Sequence, residues 1–173
     1  VRERVGGAAW ALPQGFEMGT FLRTMIWFTF VVEALGALAL YVGVFLPRGV
    51  TQPVWQAVFH SVSAFCTAGF GLFNDSFESY RGDVVLNAII MALSFLGAIG
   101  FIVVVDAWRS LKERRVRVTL TTRIILLSTF WIVAVGSVLF FLDEPSVRAL
   151  PVGERWMVSI FQVMSASTTV GFN

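Results

Sequence analysis

One cysteine, one histidine and few charges set the first limits on this 173-residue chain. Cys66 has no partner for an internal disulfide, so redox compartment cannot be read from it. His60 and Cys66 are the one histidine and the one cysteine, whereas a structural zinc site takes four ligands. A single histidine also leaves no Ser/His/Asp set, and there is no phosphate-cradling glycine loop. Nothing in the chain points to an enzyme or to a bound cofactor. Charged residues are 14% of the total, against about a quarter in soluble domains. The net charge of +2 is too small to argue for nucleic acid as a partner. There is no initiator Met and no signal-peptide pattern, and the sequence stops directly after a motif that also occurs earlier. Both ends therefore read as cut from a longer protein.

Apolar residues dominate, at 57% of the chain with a mean hydropathy of +0.78. This composition is that of a membrane protein. Thr24 to Leu46 is 23 residues with one charge, Glu33; Val84 to Val105 is 22 residues with none; Ile124 to Leu142 is 19 with none. About 20 apolar residues cross a bilayer core of roughly 30 Å, so all three are predicted transmembrane helices. Two further apolar segments, Val54 to Cys66 and Trp156 to Ala166, are too short to cross at about 1.5 Å per residue. Pro53 suits the first turn of the first of them. Each short segment follows a span and leads into a glycine motif, which predicts re-entrant helices. Irregular backbone at membrane depth is tolerated only where protein buries it or where it lines a watery cavity.

Arg109 to Arg123 carries six basic residues and one acid, while the segments 47–53, 74–83 and 143–155 together carry four basic residues and six acids. The positive-inside rule then puts Arg109 to Arg123 in the cytoplasm and the glycine motifs on the outer side. Trp55 and Trp156 at the outer interface, with Trp108 at the inner one, fit an aromatic belt.

The glycine motifs are a repeat. Phe59 to Phe70 and Phe161 to Phe172 align without a gap at an offset of 102, with Phe, Ser, Ala, Thr, Gly and Phe identical. The predicted filter strands are Cys66, Thr67, Ala68, Gly69 and Phe70, and Thr168, Thr169, Val170, Gly171 and Phe172. A dehydrated cation needs oxygen ligands, which an extended backbone can supply. Glycine permits dihedrals that other residues avoid. A glycine that merely ends a helix is the plain alternative for one copy. Two gapless copies, each behind a short helix on the outer side, argue against it.

The chain thus reads as an all-α integral membrane protein of outer helix/re-entrant pore helix/filter/inner helix units, channel-like. Residues 1–23 form a cytoplasmic linker or interfacial segment. Residues 24–108 make one complete pore repeat, with pore helix 54–66, filter 67–70 and inner helix 84–108. A basic loop, 109–119, follows. Residues 120–173 are the first half of the next repeat, with outer helix 120–142, pore helix 154–166 and filter 168–172.

His60 to Phe70 resembles the second pore loop of the TrkH/TrkG/KtrB superfamily of potassium transporters. Phe161-Gln162 with Ser165 to Asn173 resembles the third, which typically ends in Gly-Phe-Asn, and Glu33 to Ala37 resembles the start of the second outer helix. The resemblance covers essentially the whole chain. It implies four such units around one pseudo-fourfold pore, with a single filter glycine per repeat and potassium as the transported ion. It also implies a multi-pass protein of the bacterial plasma (inner) membrane, a homodimer when full length, gated by a cytoplasmic nucleotide-binding regulatory subunit of the TrkA/KtrA type. The first and fourth repeats are missing, as is the inner helix of the third, which in this family carries the gating loop.

Three supporting residues stand out. Glu33 is ionisable in mid-span, where such a group is costly and by default functional; on an outer helix, a structural hydrogen bond is the favoured reading. His60 aligns with Gln162, which favours hydrogen bonding over pH sensing. Asn173 closes the second motif. Asp75, Glu78 and Asp83 could enrich cations at the mouth, and Arg109 to Arg117 could meet anionic lipid headgroups or a cytoplasmic partner. In both cases a plain solvated loop is the alternative. A homo-oligomeric cation channel needs only one unit per chain, so the repeat counts against it. A non-transporting scaffold or an integral-membrane enzyme subunit would make the re-entrant segments a coincidence.

Overall fold

The computed structural model describes residues 18–112 and 117–172. Asn173, the segment 1–17 and the centre of the basic loop, 113–116, lie outside the described residues. The chain divides into two units, Val1–Val32 and Glu33–Asn173. The described part of the first unit is the beginning of helix α1, Met18–Leu40. That helix starts before Thr24, so residues 18–23 of the expected linker or interfacial segment are helical.

In the second unit α1 runs on into a π-helical turn, Tyr41–Phe45. There the amide of Leu46 donates to the Tyr41 carbonyl at 2.9 Å, five residues back. The wider turn carries Leu40, Val44 and Phe45 together into the interior, where all three are fully buried. Helix α2, Pro53–Phe65, begins with the predicted proline at its first position. Helices α3, Val84–Ile99, and α4, Phe101–Lys112, follow; then α5, Leu120–Asp143, and α6, Val152–Ser167. Short 3₁₀ turns at Glu78–Tyr80 and Pro145–Val147 complete the described elements, all of them helical. Helix α1 with its π turn (Gly19–Phe45) and helix α5 are long and apolar enough to cross a membrane, and α3 with α4 makes a third crossing if the bent pair is one span.

That bend corrects the expected continuous inner helix over 84–108. Helices α3 and α4 meet at 99°. Gly100 stands between them at φ 81°, ψ 152°, a conformation closed to residues with a Cβ. Apolar content is unbroken through this point, so a count of hydrophobic residues could not see the corner. On its far side, Asp106 of α4 accepts from the Thr119 amide at 2.9 Å and the Thr119 hydroxyl at 2.7 Å. Thr119 in turn caps α5, accepting from the Thr122 amide at 3.4 Å. A carboxylate on the lower half of one helix thus orders the first turn of the next.

The upper end of α3 is equally anchored. The Asp83 carboxylate caps it, accepting from Val85 and Leu86 amides at 2.9 and 3.1 Å. Arg48 pairs with the same carboxylate. The buried Asn87 side chain donates to the carbonyls of Tyr80, Arg81 and Asp83. Helix α2 packs on α3, α5 on α6, and α3 on α6, so α3 lies between the two short helices. Glycines set the closest approaches. A Cβ added to Gly36 would lie 2.6 Å from Ser61 Oγ, and one on Gly97 only 1.8 Å from the Phe65 carbonyl oxygen.

The Gly97 contact yields a stability prediction. Gly97→Ala forces α3 away from the end of α2, and overpacking of this kind costs about 1–3 kcal/mol. Gly82→Ala, with nothing within 4 Å of the added carbon, should change stability by no more than about 0.5 kcal/mol. Thermal unfolding of the detergent-purified full-length protein separates the two; equal midpoints would refute the close packing.

Candidate functional site

Both short helices end in the same way. After α2, the Thr67 amide donates to the Ala64 carbonyl at 3.1 Å and the Ala68 amide to the Ser63 carbonyl at 2.9 Å. After α6, the Thr169 amide donates to Ala166 at 3.2 Å and the Val170 amide to Ser165 at 3.1 Å. These pairs of bonds form a Schellman closure, with Thr67 and Thr169 in the left-handed position normally taken by glycine. Their φ values are 51° and 60°. A β-branched residue there is a genuine outlier, costing on the order of 1–2 kcal/mol.

The backbone then turns again at the motif glycines, Gly69 at φ 68° and Gly171 at φ 77°. Each returning strand is tied to its own helix by a serine. Ser63 Oγ donates to the Phe70 carbonyl and Ser165 Oγ to the Phe172 carbonyl, both at 2.8 Å. Sequence reasoning passed over these serines, although their identity in both copies was the signal that could have found them. The two motifs also meet. A Cβ on Gly69 would lie 1.7 Å from the Val170 carbonyl oxygen, whereas one on Gly171 would meet nothing within 4 Å. Val170 and Phe172 are buried, Phe172 against the Phe77 ring at 4.8 Å between centroids. The equivalent Phe70 is 70% exposed. Of the other predicted residues, Thr168 is buried, Thr67 half-buried, and Cys66 and Ala68 exposed.

His60 and Glu33 stand behind the first motif. His60 is fully buried. Its Nε2 accepts from the Leu72 amide at 3.2 Å, so Nδ1 carries the proton and donates to the Gln56 carbonyl at 2.8 Å. Phe73 stacks on the ring at 5.1 Å, with Phe59, Phe77 and Phe45 around it. Protonation of Nε2 would set one donor against another, so the neutral ring holds the chain that leaves the motif. Glu33 meets the end of α2 twice. Its backbone carbonyl accepts from Ser61 Oγ at 2.7 Å, and its carboxylate accepts from the Cys66 thiol at 3.8 Å.

Outside the spans, the acidic residues divide by role. Asp83 is committed to the α3 cap and to Arg48. Asp75 is exposed, and the Ser79 hydroxyl bonded to it holds its carboxyl below the usual range. Ser146 does the same for Glu144, and burial raises the Tyr80 phenol. Glu154 pairs with Arg81 at 2.7 Å, joining the 74–83 loop to the first turn of α6. Among the described residues there is no cluster of His, Cys, Asp and Glu able to hold a metal ion.

The bonding of His60 generates a prediction. His60→Leu strands the Leu72 amide, an unsatisfied group costing about 1–3 kcal/mol, while the Gln56 carbonyl keeps its bond within the helix. His60→Gln, matching Gln162, should cost clearly less. Unfolding midpoints of the full-length variants test this ranking, and equal midpoints for Leu and Gln would contradict it.

Residues 17–173 match the TrkH family, described as cation transport proteins. The Ktr system potassium uptake protein B of Vibrio alginolyticus is 36% identical over 162 residues, covering 88% of this chain and 34% of that protein. The potassium/sodium uptake protein NtpJ of Enterococcus hirae is 37% identical over 161 residues, covering 88% of this chain and 35% of its own length. The Ktr system potassium uptake protein B of Bacillus subtilis is 31% identical over 157 residues, covering 88% and 34%. The chain therefore spans about a third of the length of these curated relatives. The match and the long apolar helices make it a multi-pass protein of the plasma membrane. The chain belongs to the TrkH family of cation transport proteins.

Proposed function

We propose that this chain supplies two adjacent filter strands of a potassium-uptake transporter. The observation that carries this reading is the twin geometry of the glycine motifs, equal in bonding and in contact at Gly69 and Val170. Helices α2 and α6 act as re-entrant pore helices, each delivering a bent backbone strand to the outer mouth. A potassium ion sheds water and is held by carbonyl oxygens of the strands, including those of Thr67, Ala68, Thr169 and Val170. The gradient drives passage. Asp75 and Glu78 at the mouth, both ionised at neutral pH as ordinary carboxylates are, raise the local cation concentration.

The unequal burial of equivalent residues supports a ring of more than two strands. Phe172 is covered by Phe77 of the preceding unit, whereas Phe70 is exposed. A further unit before this one would cover Phe70, in keeping with four repeats in the full-length protein. Gating belongs to parts outside this chain and to a cytoplasmic regulatory subunit, approached from the side of Arg109 and Arg117.

Two outcomes are expected. Gly69→Ser should lower potassium-over-sodium discrimination by about tenfold or more, since moving one carbonyl need disturb coordination by only about 1.4 kcal/mol. Complementation of a potassium-uptake-deficient strain by the full-length variant measures it, and unchanged rescue would remove the filter assignment. A cysteine placed at Arg109 or Arg117 should be shielded from an impermeant thiol reagent added outside intact cells; labelling there would invert the topology.

A further inference from the structure

The filter reading leaves Ser63 and Ser165 without a role, yet both are buried and bonded in the same way. We propose that Ser63 and Ser165 are positioning residues which set the length of the two filter strands, and that the Phe70 and Phe172 carbonyls are not ion ligands. The proposal rests on that reading of the glycine motifs.

Each serine holds its strand at two points. Its carbonyl accepts the amide five residues ahead, Ala68 at 2.9 Å and Val170 at 3.1 Å. Its hydroxyl donates to the carbonyl seven residues ahead, Phe70 and Phe172, at 2.8 Å in both copies. The strand between these ties is only as long as they allow. Among the described residues, no hydrogen bond falls on the carbonyls of Thr67, Ala68 and Gly69, or of Thr169, Val170 and Gly171. The phenylalanine carbonyls differ: they are turned back toward the helix by a hydroxyl. A carbonyl has a second lone pair, but an oxygen held against its own helix by a hydroxyl is turned away from an ion in the lumen. The serine thus separates the backbone oxygens of one motif into those left free and one held back.

Serine suits both ends of this arrangement. It is short enough for its hydroxyl to reach across the turn from a position packed against the strand, where it is 6% exposed in the first copy and 4% in the second. Alanine would keep the helix and the Schellman closure, because those use only backbone groups. What it would lose is the fixed place of the carbonyl after the glycine, and with it the spacing of the oxygens before it.

The test uses the full-length protein in proteoliposomes, with rubidium uptake measured against rising sodium and the unfolding midpoint measured in parallel. Ser63→Ala and Ser165→Ala should each lose severalfold in discrimination while staying within a few degrees of the parent midpoint. The double variant should lose more, and Ser63→Thr, which restores the hydroxyl, should recover discrimination. Unchanged discrimination in the alanine variants, beside a Gly69→Ser variant that loses it, would overturn the positioning role and leave the filter standing. Threonine as damaging as alanine, or a lower midpoint with discrimination intact, would also overturn it. Intact discrimination in Gly69→Ser would remove the filter itself, and this proposal with it. If the alanine variants fail to insert, Ser63→Cys and Ser165→Cys, similar in size with a weak donor, decide by the same two readouts.

Discussion

Much of this structure depends on where the backbone hydrogen bonds go when α2 and α6 stop. Two helices end and the chain continues without regular structure, so the last carbonyls and the next amides need other partners. A hydrated loop could leave them to water. Buried backbone cannot, since an unpaired amide or carbonyl costs about as much as a lost hydrogen bond. The solution is the same in both copies: a Schellman pair closes each helix, and one serine hydroxyl collects the carbonyl beyond the glycine. Around the first copy, His60 extends this by taking the Leu72 amide. In the proposed re-entrant arrangement such local satisfaction would let irregular backbone exist at membrane depth.

The same economy explains the glycines of α3. Gly97 lets that helix touch the Phe65 carbonyl at the end of α2. Three residues on, Gly100 turns the chain through 99°. The contact with the motif and the corner thus lie within one helical turn. Beyond the corner, Asp106 commits α4 to the start of α5 through Thr119. A continuous chain of packing and hydrogen bonds therefore runs from the first motif to the start of α5, carried by backbone contact at one end and a carboxylate at the other.

Much of this was legible in residue order, because bilayer thickness and charge bias act on composition. The short apolar segments before the repeated motifs read as short helices, and α2 and α6 are helices of 13 and 16 residues. Three kinds of feature were hidden. The corner at Gly100 sits in unbroken apolar sequence, since a glycine in a long apolar run looks the same whether it packs or bends. The π turn at Tyr41–Phe45 inserts one residue per turn without changing composition. The serine ties were missed for a different reason: Ser63 and Ser165 were visible as identities, but a hydroxyl's partner seven residues away depends on two left-handed turns that residue order does not display. His60 was read as a hydrogen-bonding residue because Gln162 stands at its place; that its ring would take the Leu72 amide was not visible.

The threonines at 67 and 169 sharpen the reading of the motifs. Glycine would satisfy the Schellman closure without strain, yet a β-branched residue occupies the left-handed position in both copies. Strain of about 1–2 kcal/mol at each copy is hard to assign to packing, because Thr67 is half-buried and Thr169 exposed. Backbone strain clusters at functional sites, so its recurrence at equivalent positions agrees with the proposed filter role of the two motifs. A threonine places a branched side chain and a hydroxyl next to the oxygens that the serine leaves free. It also stiffens the turn that glycine would loosen. Under the proposed filter reading both effects would help the carbonyls of the strand hold their spacing against an ion, and neither would matter to a glycine that merely ended a helix.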